Sequence, residues 1–268
     1  MCRCASFLSR TTLLGAAVAL VTATVSTISQ AGTLIGSYDL TAGTYANSIS
    51  GTSALPPLVV QAATSGSYGF VTSGTDAGWF WSGANAPGTG LSVSGLPANE
   101  GTAFGHYSIG MRFSLGSVTG YRRLIRFKSS DFGQYVNNAA FEFYDGAVDP
   151  SGGSLAANTF VDFVLTRDGV SNQANAYLNG SSSPIFTFID GSNDASTDVN
   201  RTLGFFRDDA LDFSPSGRAA LIRIWDAPLA AADIPTAMVV VPEPTTAINT
   251  AIIAAGCAVR MLLRRRRR

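Results

Sequence analysis

Few residues of this chain have side chains suited to nucleophilic or acid–base chemistry. Its 268 residues include one histidine, His106, and three cysteines, Cys2, Cys4 and Cys257, all near the ends of the chain. A Ser-His-Asp arrangement around His106 is formally available, but no Gly-x-Ser-x-Gly sequence marks a serine nucleophile. We therefore interpret His106 as a surface or packing residue and predict no catalytic residue.

Carboxylates are the other groups that could be catalytic, because glycoside hydrolysis needs two of them across the scissile bond. Between residues 32 and 241 the sequence contains two glutamates, Glu100 and Glu142, which lie far apart in the chain. The run from Glu142 to Asp145 adds one nearby carboxylate. The sequence favours a non-enzymatic protein, with a hydrolase or lyase built on aspartates as the alternative.

Two loops carry clusters of the hard oxygen ligands that Ca²⁺ prefers. The first cluster is Asp190, Asn193, Asp194 and Asp198, and the second is Asp208, Asp209 and Asp212. Both clusters follow a predicted strand, and the first lacks the alternating ligands of an EF-hand. A calcium site is one interpretation of each loop. The other is ordinary turn chemistry, in which Asp and Asn side chains bond to nearby backbone.

Trp79 and Trp81 are the aromatic pair with the clearest spacing. Residues two apart share one face of a strand, so both rings should point the same way. Such a face could stack on a sugar ring as a ligand platform. It could equally pack in the core, because tryptophan is a large apolar residue.

The elements that must position these residues are short strands separated by turns. Apolar residues alternate with polar or small ones over His106–Leu115, which predicts a half-buried strand. Strands are also predicted at 33–40, 58–63, 68–71, 79–81, 91–93, 121–127, 140–144, 159–166, 173–178, 185–189, 202–206 and 218–225, with one helical turn at 229–234. Asp168-Gly169 and Asn179-Gly180 predict hairpin turns. This pattern predicts an all-β sandwich of two antiparallel sheets.

The distribution of charge excludes one class of partner. The formal net charge is zero, yet residues 32–241 carry 10 basic and 17 acidic residues, a net charge of −7. Binding to a phosphate backbone requires clustered lysine and arginine. We therefore exclude nucleic acid as a partner of this segment.

Residues 1–31 have the pattern of a secretory signal peptide. Arg3 and Arg10 precede the apolar stretch Leu13–Val25, and Ser29-Gln-Ala31 places small residues where a signal peptidase cuts. The alternative is an uncleaved anchor, although the stretch is short for a span of ~20 residues. We predict export across the inner membrane, with signal peptidase as a transient partner.

Residues 242–268 combine a proline spacer, an apolar segment and a cationic end. Pro242-Glu243-Pro244 is followed by a mostly apolar stretch from Ala247 to Val259. The chain then ends in Arg264, Arg265, Arg266, Arg267 and Arg268. This order resembles the PEP-CTERM sorting signal of Gram-negative, polysaccharide-producing bacteria. The resemblance implies a short transmembrane helix and an exosortase that cuts near the Pro-Glu-Pro; a permanent tail anchor is the alternative.

Several strand sequences of the middle segment carry a second resemblance. They are Tyr121-Arg-Arg-Leu-Ile-Arg-Phe-Lys128, Val164-Leu-Thr-Arg-Asp168, Ala176-Tyr-Leu-Asn-Gly180 and Ala220-Leu-Ile-Arg-Ile-Trp-Asp226. Their order resembles the LamG-like branch of the concanavalin A-like lectin/glucanase fold, which implies one jelly-roll domain over residues 32–241. Glucanases of this fold carry Glu-x-Asp-x-x-Glu on one strand, and the residues around Glu142 do not match it.

Together these features predict an exported, non-enzymatic protein of the cell surface or of the exopolysaccharide-associated extracellular matrix. Its lectin-like domain is expected to bind a glycan or a surface protein, with Ca²⁺ as the one cofactor considered. The membrane is a partner through the C-terminal helix before processing. A polysaccharide-acting hydrolase or lyase, and a structural surface protein without a specific ligand, are the alternatives.

Overall fold

The computed structural model describes residues 32–62, 66–82, 88–145, 149–207 and 216–239. The signal peptide predicted over 1–31 and the sorting signal predicted over 242–268 lie outside these ranges. Within them, no helix has the length and apolar character needed to cross a membrane.

Strands make up most of the regular structure of the described residues. In chain order they are β1 (Leu34–Asp39), β2 (Val59–Gln61), β3 (Ser67–Val71), β4 (Gly78–Ser82), β5 (Gly90–Val93), β6 (Tyr107–Leu115), β7 (Tyr121–Arg126), β8 (Gly133–Asn137), β9 (Ala140–Tyr144), β10 (Ser151–Gly152), β11 (Val161–Asp168), β12 (Gln173–Leu178), β13 (Phe186–Ile189), β14 (Leu203–Phe205) and β15 (Ser216–Trp225). A 3₁₀ turn covers Leu40–Ala42 and a short helix, α1, covers Ile234–Ala237.

The strands form two antiparallel sheets that pack face to face. The first sheet has the order β13-β12-β11-β6-β15-β4-β3, and β1 and β4 pair with different halves of the same edge of β15. The second sheet has the order β10-β9-β8-β7-β14-β5-β2. The predicted all-β sandwich of two antiparallel sheets is confirmed.

Two strands were missed by the sequence prediction, β8 and β10. In β8, polar Gln134 pairs with the inward-facing Phe143 and is fully buried, so the strand has no apolar alternation. The β8–β9 hairpin turns at Asn138 and Ala139, whose φ angles are 46° and 71°. An Asn-Ala pair is a weaker hairpin signal than Asn-Gly, because alanine pays a steric penalty at positive φ.

The core between the sheets is rich in aromatic side chains, and Trp79 and Trp81 belong to it. They share one face of β4, as their spacing predicts, and are 0% and 1% exposed. Their rings stack with centroids 5.0 Å apart, and Trp81 stacks on Phe206 at 4.8 Å. The interpretation of this pair as a ligand-stacking platform is therefore wrong, because both rings face the opposite sheet and are closed off from solvent.

The segment after β15 covers the outer face of the first sheet. Leu229 and Met238 pack there with outward-facing residues of β11 and β15. A Cβ on Gly110 of β6 would lie 2.4 Å from Met238 Sδ, so this position has no room for a side chain. The strand predicted at His106–Leu115 as half-buried is instead buried on both faces, with Arg112 as its exposed residue. The outer face of the second sheet, in contrast, keeps some of its residues partly exposed, among them Tyr121, Tyr144 and Arg126.

Candidate functional site

The register of the second sheet sets a row of residues side by side on its outer face. Tyr144 of β9 pairs with Gly133 of β8, and Gly133 pairs with Arg126 of β7. Arg126 pairs with Gly204 of β14, which pairs in turn with Ser92 of β5. Directly paired residues of antiparallel strands point to the same face. Gly204 leaves room above the sheet beside Arg126, whereas Gly133 is buried and a Cβ there would lie 2.5 Å from the carbonyl oxygen of Ile125.

Four aromatic rings, Tyr121, Phe132, Tyr135 and Tyr144, cluster at one end of this face, and we call them the aromatic patch. The centroids of Tyr121 and Tyr135 are 5.7 Å apart, and those of Phe132 and Tyr144 are 5.9 Å apart. Tyr135 is buried, whereas the other three are half-buried. Burial, and then the nearby carboxylate of Glu142, raise the pKa of Tyr121.

Arg123 holds the aromatic patch in place from within the sheet face. Its guanidinium carbon lies 4.8 Å from the ring centroid of Tyr135, and the side chain is fully buried. Nη2 of Arg123 donates to the carbonyls of Ser130 and Phe132, both at 3.3 Å. The hydroxyl of Tyr135 donates to the carbonyl of Asp131 at 2.8 Å. The β7–β8 loop is thereby tied down, and the rings are positioned before any ligand arrives.

A cavity of about 340 Å³ opens farther along the same row. Three cationic side chains line it, and we call it the cationic cavity. They are Arg126, Lys128 and Arg207. Gln61, Ser92, Asp198, Asn200, Thr202 and Gly204 also line it. Three of the ten basic residues of an otherwise acidic segment therefore converge on one opening.

Among the described residues, two of these three cations have hydrogen-bond partners that are only neutral. Nε of Arg126 donates to the carbonyl of Lys128 at 2.9 Å, and Nη1 of Arg207 donates to Oε1 of Gln61 at 3.1 Å. Over the described ranges, no carboxylate lies within 4.0 Å of either guanidinium. Lys128 donates to the carbonyl of Asn193 at 2.5 Å and differs from the arginines because its Nζ also lies 3.7 Å from Oδ1 of Asp194. Burial, and then the charge of Arg126, lower the pKa of Arg207.

The first predicted calcium loop is organised around an arginine. The buried carboxylate of Asp190 accepts a hydrogen bond from Nε of Arg167 at 2.7 Å. It also accepts from the backbone N–H groups of Asp194 at 2.7 Å and Ala195 at 3.1 Å. Oδ1 of Asn193 accepts from Nη2 of Arg167 at 2.8 Å. The interpretation of Asp190, Asn193 and Asp194 as Ca²⁺ ligands is therefore corrected. The guanidinium of Arg167 takes oxygens of Asp190 and Asn193, the carboxylate of Asp194 lies 3.7 Å from Nζ of Lys128, and both positive charges would repel the ion.

Arg167 engages all five of its N–H donors. Besides the bonds to Asp190 and Asn193, Nη1 donates to Oε2 of Glu100 at 2.7 Å and to the carbonyl of Gly105 at 2.5 Å. Nη2 donates to Oδ1 of Asn172 at 3.0 Å. Burial acts to lower the pKa of Arg167, but the bond to Glu100 and the surrounding negative charges outweigh it and raise the pKa. The arginine joins three loops at one end of the sandwich.

The other candidate ligands give no metal centre in the described part of the chain. Asp208 and Asp209 of the second predicted calcium loop lie outside the described residues, so that site stays a prediction. Among residues that the structure does describe, no three His, Cys, Asp or Glu side chains are grouped to hold a metal ion.

The histidine and the two glutamates considered for catalysis occupy separate places. Nδ1 of His106 accepts the backbone N–H of Gly169 at 3.2 Å, at the rim of the first sheet. Glu100 is bonded to Arg167, whereas Glu142 lies on β9 and accepts from Nδ2 of Asn137 at 3.0 Å. Glu142 therefore belongs to the outer face that carries the aromatic patch, and Glu100 to the arginine cluster.

Sequence reasoning did not single out the residues of the outer face. A signal existed in β9, where Phe141 and Phe143 point into the core and leave Glu142 and Tyr144 to point outward. No local signal existed for Arg207, which follows β14 and reaches the cavity because β14 pairs with β7. That pairing joins segments about 80 residues apart in the sequence.

Comparison with known proteins places the chain by its fold. No family model matches it, and a search of curated proteins finds no matching sequence. Domain 4 of AbnA, an extracellular GH43 arabinanase from Geobacillus stearothermophilus solved in complex with arabinotriose, superposes with a TM-score of 0.55. The identity is 13%, over 77% of this chain and 98% of that domain.

Binding domains of botulinum neurotoxins are also similar. A structure of type C toxin, whose cell entry is described as dependent on two ganglioside molecules, gives a TM-score of 0.54 at 13% identity. The DC toxin binding domain in complex with rat synaptotagmin II gives 0.52, also at 13% identity. Each alignment covers 76% of this chain and 50% of the toxin chain, so this chain spans about half of their length. At this identity the likeness shows the sandwich fold.

Proposed function

We propose that this chain is a glycan-binding protein without catalytic activity. The observation that carries the proposal is the aromatic patch, where Tyr121, Phe132 and Tyr144 are half-buried and cluster on the outer face of the second sheet. Aromatic rings offer an apolar face, and tyrosine adds a hydroxyl at its edge. Sugar rings have the matching combination of apolar faces and a hydroxyl rim.

Rigidity of the patch supports binding over a packing role alone. Arg123 and Asp131 fix the β7–β8 loop and the Tyr135 ring, and Tyr121 and Tyr144 pack against Tyr135, so less side-chain entropy is lost when a ligand docks. Buried Tyr135 supplies the base of the cluster, and its half-buried neighbours supply the contact surface.

Two structural neighbours support glycan as the class of ligand. The arabinanase domain was solved with arabinotriose, and the type C toxin is described with gangliosides. A protein ligand is the second candidate, which the toxin domain solved with synaptotagmin II favours. We take the fold to be the LamG-like, concanavalin A-like jelly roll, in which binding is set by the site rather than by the architecture.

The proposal places the protein outside the cytoplasm. The signal peptide pattern of residues 1–31 and the PEP-CTERM-like residues 242–268 support export, sorting by an exosortase, and residence at the cell surface or in the extracellular matrix. Mass spectrometry of the chain isolated from its native host tests this. We expect a mature N-terminus near residue 32 and a C-terminus near Pro242–Pro244; an intact chain in the cytosol would contradict export.

A glycan panel tests the binding role. Full-length protein is compared with Tyr121→Ala and Tyr144→Ala, and with Tyr68→Ala as a matched control, because Tyr68 lies on β3 of the other sheet and is 46% exposed. We expect the two patch variants to lose roughly tenfold or more in affinity while the control is unchanged. Equal binding by all four proteins would refute the patch as the site.

The same panel tests the absence of catalysis. Reducing-end release is measured for each glycan that binds, alongside Glu142→Gln and Asp145→Asn. We expect no release above background for any of the proteins. Release by the unsubstituted protein that disappears in Glu142→Gln would support a hydrolase or lyase instead.

A further inference from the structure

We propose that the cationic cavity binds the acidic group of a sugar, so that the ligand is an anionic glycan carrying carboxylate or sulfate. This inference rests on the proposed glycan-binding function and names its ligand class. Arg126 and Arg207 are the two residues that would hold the anion, and the aromatic patch would hold the sugars beside it.

The first support for this inference is that most N–H donors of these two arginines have no partner among the described residues. A guanidinium has five N–H donors, and Arg126 and Arg207 each make one side-chain hydrogen bond within the described ranges, both to neutral oxygens. Nε of Arg207 is buried without a hydrogen-bond partner there. Planar, bidentate donors of this kind match the oxygens of a carboxylate or sulfate.

The charges facing the cavity leave an excess of positive charge for a ligand. Lys128 is partly compensated by Asp194 at 3.7 Å. Asp198, the acidic residue of the lining, already accepts two bonds from Asn200, at 2.9 Å and 3.3 Å. Neither acid lies within 4.0 Å of the two guanidinium groups, and Asp208 and Asp209 lie outside the described residues. An entering anion would relieve the repulsion that Arg126 exerts on Arg207.

Neutral side chains hold Arg207 in position. Its Nη1 donates to Oε1 of Gln61, and Nε2 of Gln61 donates to Oγ of Ser92 at 2.9 Å. Uncharged partners hold the guanidinium in place without neutralising it. A preformed anion site requires a cation that is held in place but not neutralised, whereas in a structural ion pair the charge is already neutralised.

The spacing of the row links the cavity to the aromatic patch. Tyr144 and Gly204 lie three strands apart in the same row, with Gly133 and Arg126 between them. Neighbouring strands are about 4.8 Å apart, so the span is roughly 14 Å. One short oligosaccharide could therefore stack on the patch and place an acidic group in the cavity.

Matched polysaccharide pairs test the proposal. Full-length protein is titrated with polygalacturonate and its fully methyl-esterified form, and with dextran sulfate and dextran. We expect the acidic member of at least one pair to bind roughly tenfold tighter or more. A gain confined to the first pair assigns carboxylate, a gain confined to the second assigns sulfate, and gains in both assign a general oxyanion site. Equal affinity within both pairs overturns the inference.

Arginine variants connect that preference to the cavity. We expect Arg126→Gln with Arg207→Gln to abolish the acidic preference. Arg112→Gln is the matched control, because Arg112 is 53% exposed on the first sheet, and we expect it to bind like the unsubstituted protein. An acidic preference that survives the double substitution overturns the inference.

Filling the cavity separates a shaped site from general attraction by positive charge. A Cβ on Gly204 would meet Cβ of Arg126 at 3.4 Å, an ordinary contact, so Gly204→Leu should fold and occupy the cavity with both arginines in place. At ~0.15 M salt, where the Debye length is about 8 Å, we expect it to lose the acidic preference. A retained preference in folded Gly204→Leu overturns the cavity as the site; should that variant fail to fold, the double arginine variant decides.

Failure of this inference is distinguishable from failure of the proposed function. If neutral glycans bind and lose affinity on Tyr144→Ala, but acidic groups bring no gain, the inference alone is wrong. If no glycan of either charge binds, the proposed function is wrong, and this inference is wrong with it.

Discussion

Two arginine sites in this sandwich use the same side chain in opposite ways. Arg167 is fully buried and its five donors meet two carboxylates, two amide oxygens and a carbonyl. Arg126 and Arg207 are half-buried at a cavity, and each has one neutral partner among the described residues. The first guanidinium is complete without a ligand, whereas the other two are held in place with donors to spare.

The difference teaches that charge clusters must be judged by their remaining hydrogen-bonding capacity. Asp190 and Asn193 form a dense cluster of oxygens in the sequence, yet those oxygens are already bonded to Arg167. Two cations of the cationic cavity, Arg126 and Lys128, come from the basic run of residues 121–128, whereas Arg207 is remote in the sequence; among the described residues, Arg126 and Arg207 each keep donors without a partner. Buried polar groups that are fully satisfied stabilise one structure, while open donors at a surface are suited to recognition.

The largest effect should follow from Arg167→Met. Asp190 and Glu100 would lose their cation while buried or partly buried, and removing one partner of a buried pair costs about 3–5 kcal/mol. Urea unfolding followed by circular dichroism measures the loss. Arg112→Met is the control, because its pair with Asp162 is long at 3.9 Å and its own side chain is 53% exposed, and its expected change is within ~0.5 kcal/mol. A loss for Arg167→Met below about 1 kcal/mol would show that the cluster is not a structural centre.

A smaller loss of stability is expected for Tyr107→Phe, beside Arg167 on the neighbouring strand. The buried hydroxyl donates to the carbonyl of Ala195 at 2.7 Å, and burial raises its pKa well above the ordinary value. The substitution keeps the ring and leaves that carbonyl without its donor, which costs about 1–2 kcal/mol. Thermal unfolding measures the change. Tyr68→Phe on an exposed edge serves as the control, and an equal shift in both variants would argue against a role for the Ala195 bond.

The stability of the protein should depend modestly on pH through Asp168, which ends strand β11 near the Arg167 cluster. Its carboxylate accepts the N–H of Val170 at 3.0 Å, and this bond, with the hydroxyl of Ser171 and the charge of His106, lowers its pKa below 3.8. A lowered folded pKa stabilises the protein above the unfolded pKa, and that stabilisation is lost as the pH falls through the folded value. Melting temperatures between about pH 5 and about pH 3 should therefore fall less in Asp168→Asn than in the unsubstituted protein.

A second variant, at an exposed aspartate, is the control for that experiment. Asp76→Asn removes a carboxylate that is 63% exposed in its side chain and pairs with Arg218 on the first sheet. We expect its melting curve to follow the unsubstituted protein over the same pH range. Parallel acid profiles for Asp168→Asn and the unsubstituted protein would contradict the prediction.

The smallest effect on stability should come from Arg207→Gln, which completes the comparison with Arg167. Among the described residues the side chain makes one hydrogen bond, to a neutral oxygen, and its burial is already unfavourable to its charge, so we expect a change within ~0.5 kcal/mol. Urea unfolding against Arg167→Met measures both on one scale. A loss above about 2 kcal/mol would place Arg207 with the structural arginines and weaken the case for an anion site.

Much of the fold could be predicted because its signals are local. Asn179-Gly180 turns as predicted, with φ angles of 51° and 70°, since both residues tolerate positive φ. The strand predicted at 159–166 is present as β11, and its neighbouring residues Phe163 and Val164 lie in two different core clusters. The burial of both faces of β6 could not be predicted, because the residues that cover Gly110 come from more than 100 positions later in the chain.

By itself, the sequence determined the strands, most of their turns and the two-sheet architecture, because period-two alternation and turn chemistry act between neighbouring residues. The tertiary structure decided where Trp79 and Trp81 point, which oxygens Arg167 takes, and which residues meet at the outer face. Arg167 reaches Asp190 and Glu100 across 23 and 67 positions, and Arg207 reaches Gln61 across 146. Contacts over such separations are set by sheet register and packing, which no local pattern of residues encodes.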